Sequence, residues 1–213
     1  MVSGQVDSAP RLFLEALVTI LVIMDPVANA PAFLALTADM DVARRRRAAL
    51  EATVVAATVI LVFALFGQAI LALLGISLPA LQVAGGLLLV LVALELLRPP
   101  VEGAPGAGRA ARPGQNVALV PLGTPLLAGP GAIAATMVFM SAADTALEVA
   151  AVIGALLVAL AVVYAVLRFA GRLAGVLKQN GIDLLSRVVG VLLAAIAVQL
   201  VAAGIQEWVR HGV

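Results

Sequence analysis

Six apolar stretches, at about residues 12–36, 48–72, 78–97, 117–140, 147–169 and 186–208, dominate this chain of 213 residues. Each is long enough to cross a hydrocarbon core, which takes roughly 20 helical residues. No water reaches the backbone there, so a crossing segment must satisfy its own hydrogen bonds, and a helix does so within one segment. A hydrophobic content of 63%, a charged content of 12% and a mean hydropathy of +1.16 exclude an ordinary soluble domain of this length. The expected fold class is all-α: a polytopic membrane protein with six transmembrane helices in a lipid bilayer.

Composition also narrows the chemistry. Cysteine is absent and the one histidine, His211, lies at the end of the chain. Thiolate, haem and zinc chemistry therefore have almost no ligands, and neither a metal nor a cofactor is expected. Aromatic residues make up 4% of the chain, do not interleave with basic ones, and the net charge is +1, so no nucleic-acid partner is expected.

Residues 98–116 form the only linker-like stretch, rich in Pro, Gly and Ala. It divides a first three-span unit, 1–97, from a second, 117–213. With six crossings, Arg44 to Arg47, Arg98, Arg109, Arg112, Arg168, Arg172, Lys178 and Arg187 fall on one side, and Arg11 and Arg210 on the other. The positive-inside rule then makes the crowded side cytoplasmic and turns both termini outward. Leu12 to Met24, after Arg11 and before Ala28-Asn29-Ala30, imitates a signal peptide. Asp7 ahead of that arginine, and Pro31 at what would be the first mature position, favour reading it as a span.

Two of the six spans are interrupted. The first contains Asp25-Pro26-Val27-Ala28-Asn29-Ala30-Pro31, and an offset of 99 residues carries Pro26, Pro31 and Thr37 onto Pro125, Pro130 and Thr136 in the fourth. A second offset, of 105, carries Val83, Gly85, Leu87 and Leu88 onto Val188, Gly190, Leu192 and Leu193. Halves of three spans enter the membrane from opposite sides, so such a duplication is an inverted 3+3 repeat, an architecture of secondary transporters. Asp25 before Pro26, and Thr124 before Pro125, read as an N-cap followed by a first-turn proline. Each broken span thus resembles two half-helices with a new start near the midplane, where free N–H groups and a partial positive charge suit an anion.

The candidate binding residues follow from these breaks: Asp25, Asn29 and Thr37 in the first span, and Thr124, Gly129, Gly131 and Thr136 in the fourth, with Pro26, Pro31, Pro125 and Pro130 making the breaks. Asp25 is the one acidic residue deep in a span, a position that is costly and for that reason a functional candidate, here for H⁺ or Na⁺ coupling or for a substrate ammonium. Capping a kinked helix is its plain structural alternative. Glu15, Glu51, Glu95 and Gln68 read as boundary residues whose side chains reach the headgroups. Gln82 and Gln199 lie deeper, lining a pathway or joining helices.

The stretches Asp25 to Thr37, Gln82-Val83-Ala84-Gly85-Gly86 and Val120 to Ile133, the last with Pro-Leu-Leu-Ala-Gly-Pro-Gly-Ala-Ile intact at 125–133, resemble the MarC family of bacterial inner-membrane proteins. Arg187 to Gln199 is similar to that family's final span, while Ala28 departs from the glycine common before the asparagine. The resemblance implies a multi-pass protein of the bacterial inner membrane. It also implies, from members described as transporters of glycine and alanine, a small neutral amino acid as substrate.

Residues and resemblance together favour a secondary transporter of small neutral amino acids or similar zwitterions, working by alternating access. The alternative is a channel or scaffold protein without a transport cycle. An enzyme is not expected: no G-x-S-x-G elbow is present, no His or Cys lies in a span, and one deep Asp makes no dyad. Small residues on apolar faces leave a homo-oligomer open.

Overall fold

The structure, a computed structural model, describes residues 8–97 and 127–211, and every regular element among them is a helix. They are α1 (Ser8–Met24), α2 (Pro26–Leu36), α3 (Val42–Leu74), α4 (Leu78–Leu97), α5 (Pro130–Ser141), α6 (Ala146–Arg168) and α7 (Ala170–His211). Five stretches are long and apolar enough to cross a membrane, α1 and α2 counting together as Ser8–Leu34, and α5 is a shorter apolar helix. The expected count of six becomes five among the described residues, because the first half of the fourth span lies outside them, as does the linker.

The ends of these helices are written in local chemistry. Asp41 caps α3 by accepting the Arg44 amide at 2.8 Å, and α3 stops where Gly75 turns left-handed, with φ of 66°. Thr145 and Glu148 form a capping box at the start of α6, and Glu148 also accepts the Ser8 hydroxyl at 2.7 Å, which ties the starts of α1 and α6 and sets the two helices parallel. Arg45, expected only to mark the cytoplasmic side, donates to the Thr37 carbonyl at 3.0 Å just beyond α2, a cation at the negative end of a helix. The last helix departs further from expectation. It starts at Ala170, directly after Phe169, rather than near 186, because no proline follows Pro130 and isolated glycines do not stop a helix.

Packing inverts the soluble pattern. Ala16, Ala49, Ala52, Ala56, Ala155 and Ala159 have no exposed surface, while large apolar side chains such as Leu65, Phe66, Leu91 and Val198 point outward. Outward leucine costs nothing in lipid, and inward alanine lets backbones approach, which is how helices associate without a hydrophobic driving force between them. α4 and α7 form the most extensive pair and run antiparallel: Gly190 faces Leu96 and Leu97, Gly86 faces Ala197 and Val201, and Gly204 faces Pro79 and Val83. α5 lies antiparallel to α4 as well, with Pro130 and Gly131 beside Gly85 and Leu89.

Two glycine substitutions separate packing from helix propensity. A Cβ on Gly86 would lie 2.8 Å from the Ala197 carbonyl oxygen, whereas one on Gly154 meets only Phe13, at 3.7 Å. Gly86→Ala is expected to destabilise by about 1–3 kcal/mol despite its better propensity, and Gly154→Ala to stabilise by about 0.5–1 kcal/mol. Thermal unfolding in detergent measures both, and equal shifts would contradict the α4–α7 packing.

Candidate functional site

The break in the first span is one residue wide. Asp25 has φ of 38°, the only non-glycine residue with positive φ among those described, and Pro26 opens α2. The Asp25 amide still donates to Leu21 at 3.1 Å and its carbonyl accepts from Asn29 at 3.2 Å, so the helical ladder reaches the residue from both sides. α1 and α2 do not pack along each other, and the chain continues across the break instead of doubling back.

What the break removes, two side chains restore. Pro26 has no amide proton, and the Ala28 amide is diverted to Asp25 Oδ1 at 3.1 Å, in the manner of an N-cap. The Met24 carbonyl is left without its usual donor, and Asn29 Nδ2 supplies one at 2.8 Å. Unsatisfied backbone groups are costly in a hydrocarbon interior, so Asp25 and Asn29 both have a structural reason to be there. One atom remains over: Asp25 Oδ2 is buried and has no hydrogen-bond partner among the described residues.

The second break presents backbone instead of side chains. Gly129 is extended, with φ of −66° and ψ of 160°, and caps α5 with no side-chain hydrogen bond, while Pro130 takes the first position of the helix. The Ala132 and Ile133 amides both turn back to the Gly129 carbonyl, at 3.0 and 3.2 Å. This end of α5 faces Asp25 and Asn29 across a cavity of about 330 Å³, closed on its other side by Leu88, Leu89, Val92 and Glu95 of α4. Among the described residues no lysine or arginine lines it. The start of α2 and the start of α5 therefore meet at one space, with their helices leading away from it toward opposite ends of the bundle.

Of the candidate binding residues, the structure brings together Asp25, Asn29, Gly129 and Gly131, with Pro130 among them. Thr37 and Thr136 do not line the cavity. Both are buried and donate to the carbonyl four residues back, Phe33 at 2.7 Å and Ala132 at 2.8 Å. Pro26 and Pro31 shape α2 without lining the space, and Thr124 and Pro125 lie outside the described residues. Glu95, expected at a membrane boundary, borders the cavity as a second carboxylate. Helical spacing carried that signal, since Gly85, Leu88, Val92 and Glu95 fall at i, i+3, i+7 and i+10 on one face of α4.

Apolar crossing helices and alanine-lined packing define a multi-pass α-helical integral membrane protein. The chain belongs to the MarC family: the model of the MarC family integral membrane protein matches residues 11–209. Among its relatives are a UPF0056 membrane protein of Aquifex aeolicus, 34% identical over 94% of this chain and 95% of the relative, and one of Methanocaldococcus jannaschii, 38% identical over 92% and 97%. The UPF0056 inner membrane protein MarC of Escherichia coli SMS-3-5 is 33% identical over 91% of this chain and 94% of its own. No solved structure matches the chain.

Capping and coupling make separate demands on residue 25. Asparagine tolerates positive φ and can still accept the Ala28 amide, so Asp25→Asn is expected to unfold within a degree or two of the parent. Asp25→Ala loses the cap and keeps the unfavourable φ, at a cost of about 2 kcal/mol. Thermal melts of the two purified variants check this, and an equal loss in both would mean that the charge itself holds the fold.

Proposed function

We propose that the chain is a secondary transporter of small neutral amino acids or similar zwitterions, coupled to H⁺ or Na⁺ and working by alternating access around the cavity between α2 and α5. The observation that carries this reading is the cavity of about 330 Å³ that brings Asp25, whose buried Oδ2 has no partner among the described residues, together with the N-terminus of α5, which has no side-chain cap. A carboxylate oxygen accepts an ammonium, a proton or Na⁺, and a helix N-terminus favours a carboxylate, so the two sides suit a ligand with unlike ends. The volume lies at the lower end of the roughly 300–1,000 Å³ typical of small-molecule pockets, which suits a small solute.

The same reading assigns the repeat and its setting. The two half-helix starts at one cavity, and the antiparallel α4–α7 pair joining the third and sixth spans, are the contacts an inverted 3+3 repeat would place around an axis in the membrane plane. Arg44 to Arg47 and Arg168 share the end of the bundle away from Ser8, which supports a cytoplasmic location for that end, with both termini outward, in a bacterial inner membrane. No catalytic residue is assigned, and the exposed small-residue faces are compatible with a homo-oligomer.

Counterflow of labelled glycine and L-alanine in proteoliposomes, under imposed proton or sodium gradients, tests the reading. Accumulation driven by one gradient, abolished by Asp25→Asn in a folded sample, is the expected result. Gradient-independent flux would favour a pore without a transport cycle. Background flux from folded protein would remove the amino-acid assignment.

A further inference from the structure

Besides Asp25 Oδ2 and Arg45 Nε, the fold leaves one more buried side-chain atom without a hydrogen-bond partner among the described residues, and it belongs to Gln82. The residue is 9% exposed, and the atom is its Oε1. Its side chain lines two adjoining cavities, of about 390 and 490 Å³, which share Gln82 and Ala203. The larger is bordered by Thr19 and Gln199 and by the Arg11–Glu15 ion pair, 2.8 Å apart and well exposed. These cavities lie toward the Ser8 end of the bundle, away from Arg45.

Between them and the Asp25 cavity the helices close. A Cβ on Gly85 would come within 2.7 Å of the Ala134 Cβ, and one on Gly131 would overlap Leu89. On α5, Ala132 borders the Asp25 cavity and Ala135 the Gln82 cavity, less than one turn apart. A waist of glycine, alanine and one leucine thus separates two cavities stacked along the same two helices, each bordered by a few polar side chains.

We infer that the Gln82 cavity is a second, entry-side binding site for small zwitterions, in series with the Asp25 cavity across the α4–α5 waist. Inside the bilayer an amide oxygen without a donor is costly, and turning the Gln82 amide so that its oxygen meets the cavity lets a ligand ammonium offset that cost. The ligand carboxylate then has the Arg11 guanidinium within the same cavity, and Glu15 keeps the rim neutral overall. Amide, guanidinium and carboxylate together recognise both ends of an amino acid, where a lone cation or anion would engage half of them. The choice of ligand rests on the transport reading; the site itself rests on Gln82.

The chain has no cysteine, so a single Ala203→Cys reports on this cavity without background. L-alanine is expected to slow its labelling by a membrane-impermeant thiosulfonate added from the Ser8 side. A Val92→Cys reporter should label from the opposite side. Gln82→Leu is expected to raise the L-alanine concentration for half-protection about tenfold, and Asp25→Asn to leave it within twofold. Where Gln82→Leu fails to fold, Gln82→Asn replaces it, with a shift in the same direction expected. No protection in the parent, or protection lost in Asp25→Asn and unmoved by either Gln82 variant, overturns the site. If counterflow persists in a sample without protection, the entry-side site falls and the transport reading stands; protection without counterflow does the reverse.

Discussion

Backbone satisfaction at the first-span break is the constraint on which the rest of this structure depends. In water an interrupted helix is repaired by solvent, but in a bilayer each freed carbonyl and amide must find a partner in the protein. Asp25 takes the Ala28 amide and Asn29 serves the Met24 carbonyl, so the break closes on itself and holds a carboxylate at depth. A carboxylate can accept at more sites than one amide fills, and its second oxygen is left buried without a partner among the described residues, in a residue that borders the cavity. Capping therefore uses one oxygen of this side chain, and the proposed ligand role would use the other.

The opposing surface is built by the contrary device. Gly129-Pro130-Gly131 offers no polar side chain, and the bare Gly131 lets Leu89 of α4 close against the start of α5. Small residues then serve two purposes along α4 and α5. They allow the tight waist, and they leave a cavity on either side of it.

Much of this was legible in the residues. Apolar length located the spans to within a few residues for α4 and α6, and the proline grammar located Asp25 as a cap. In the fourth span a helix starts at Gly129 and Pro130, where glycine caps without leaving a side-chain signature, while Thr124 and Pro125 lie outside the described residues. Thr37 and Thr136 were legible as a matched pair but not as back-bonded hydroxyls, since threonine in a helix satisfies itself on its own backbone as readily as it lines a pathway. Glu95 and Gln82 were read by depth alone. Which helix face turns inward depends on the partners of α4, and those partners, α5 and α7, are set by contacts between glycines and alanines far apart in sequence.

The central claim is that the Asp25 carboxyl takes part in ligand binding as well as in capping. Infrared difference spectroscopy of the reconstituted protein, with and without L-alanine, addresses that carboxyl directly. The account predicts a ligand-induced change in a buried carboxyl band that is missing from Asp25→Asn. Identical difference spectra from the parent and the variant, both showing bound L-alanine, would contradict it.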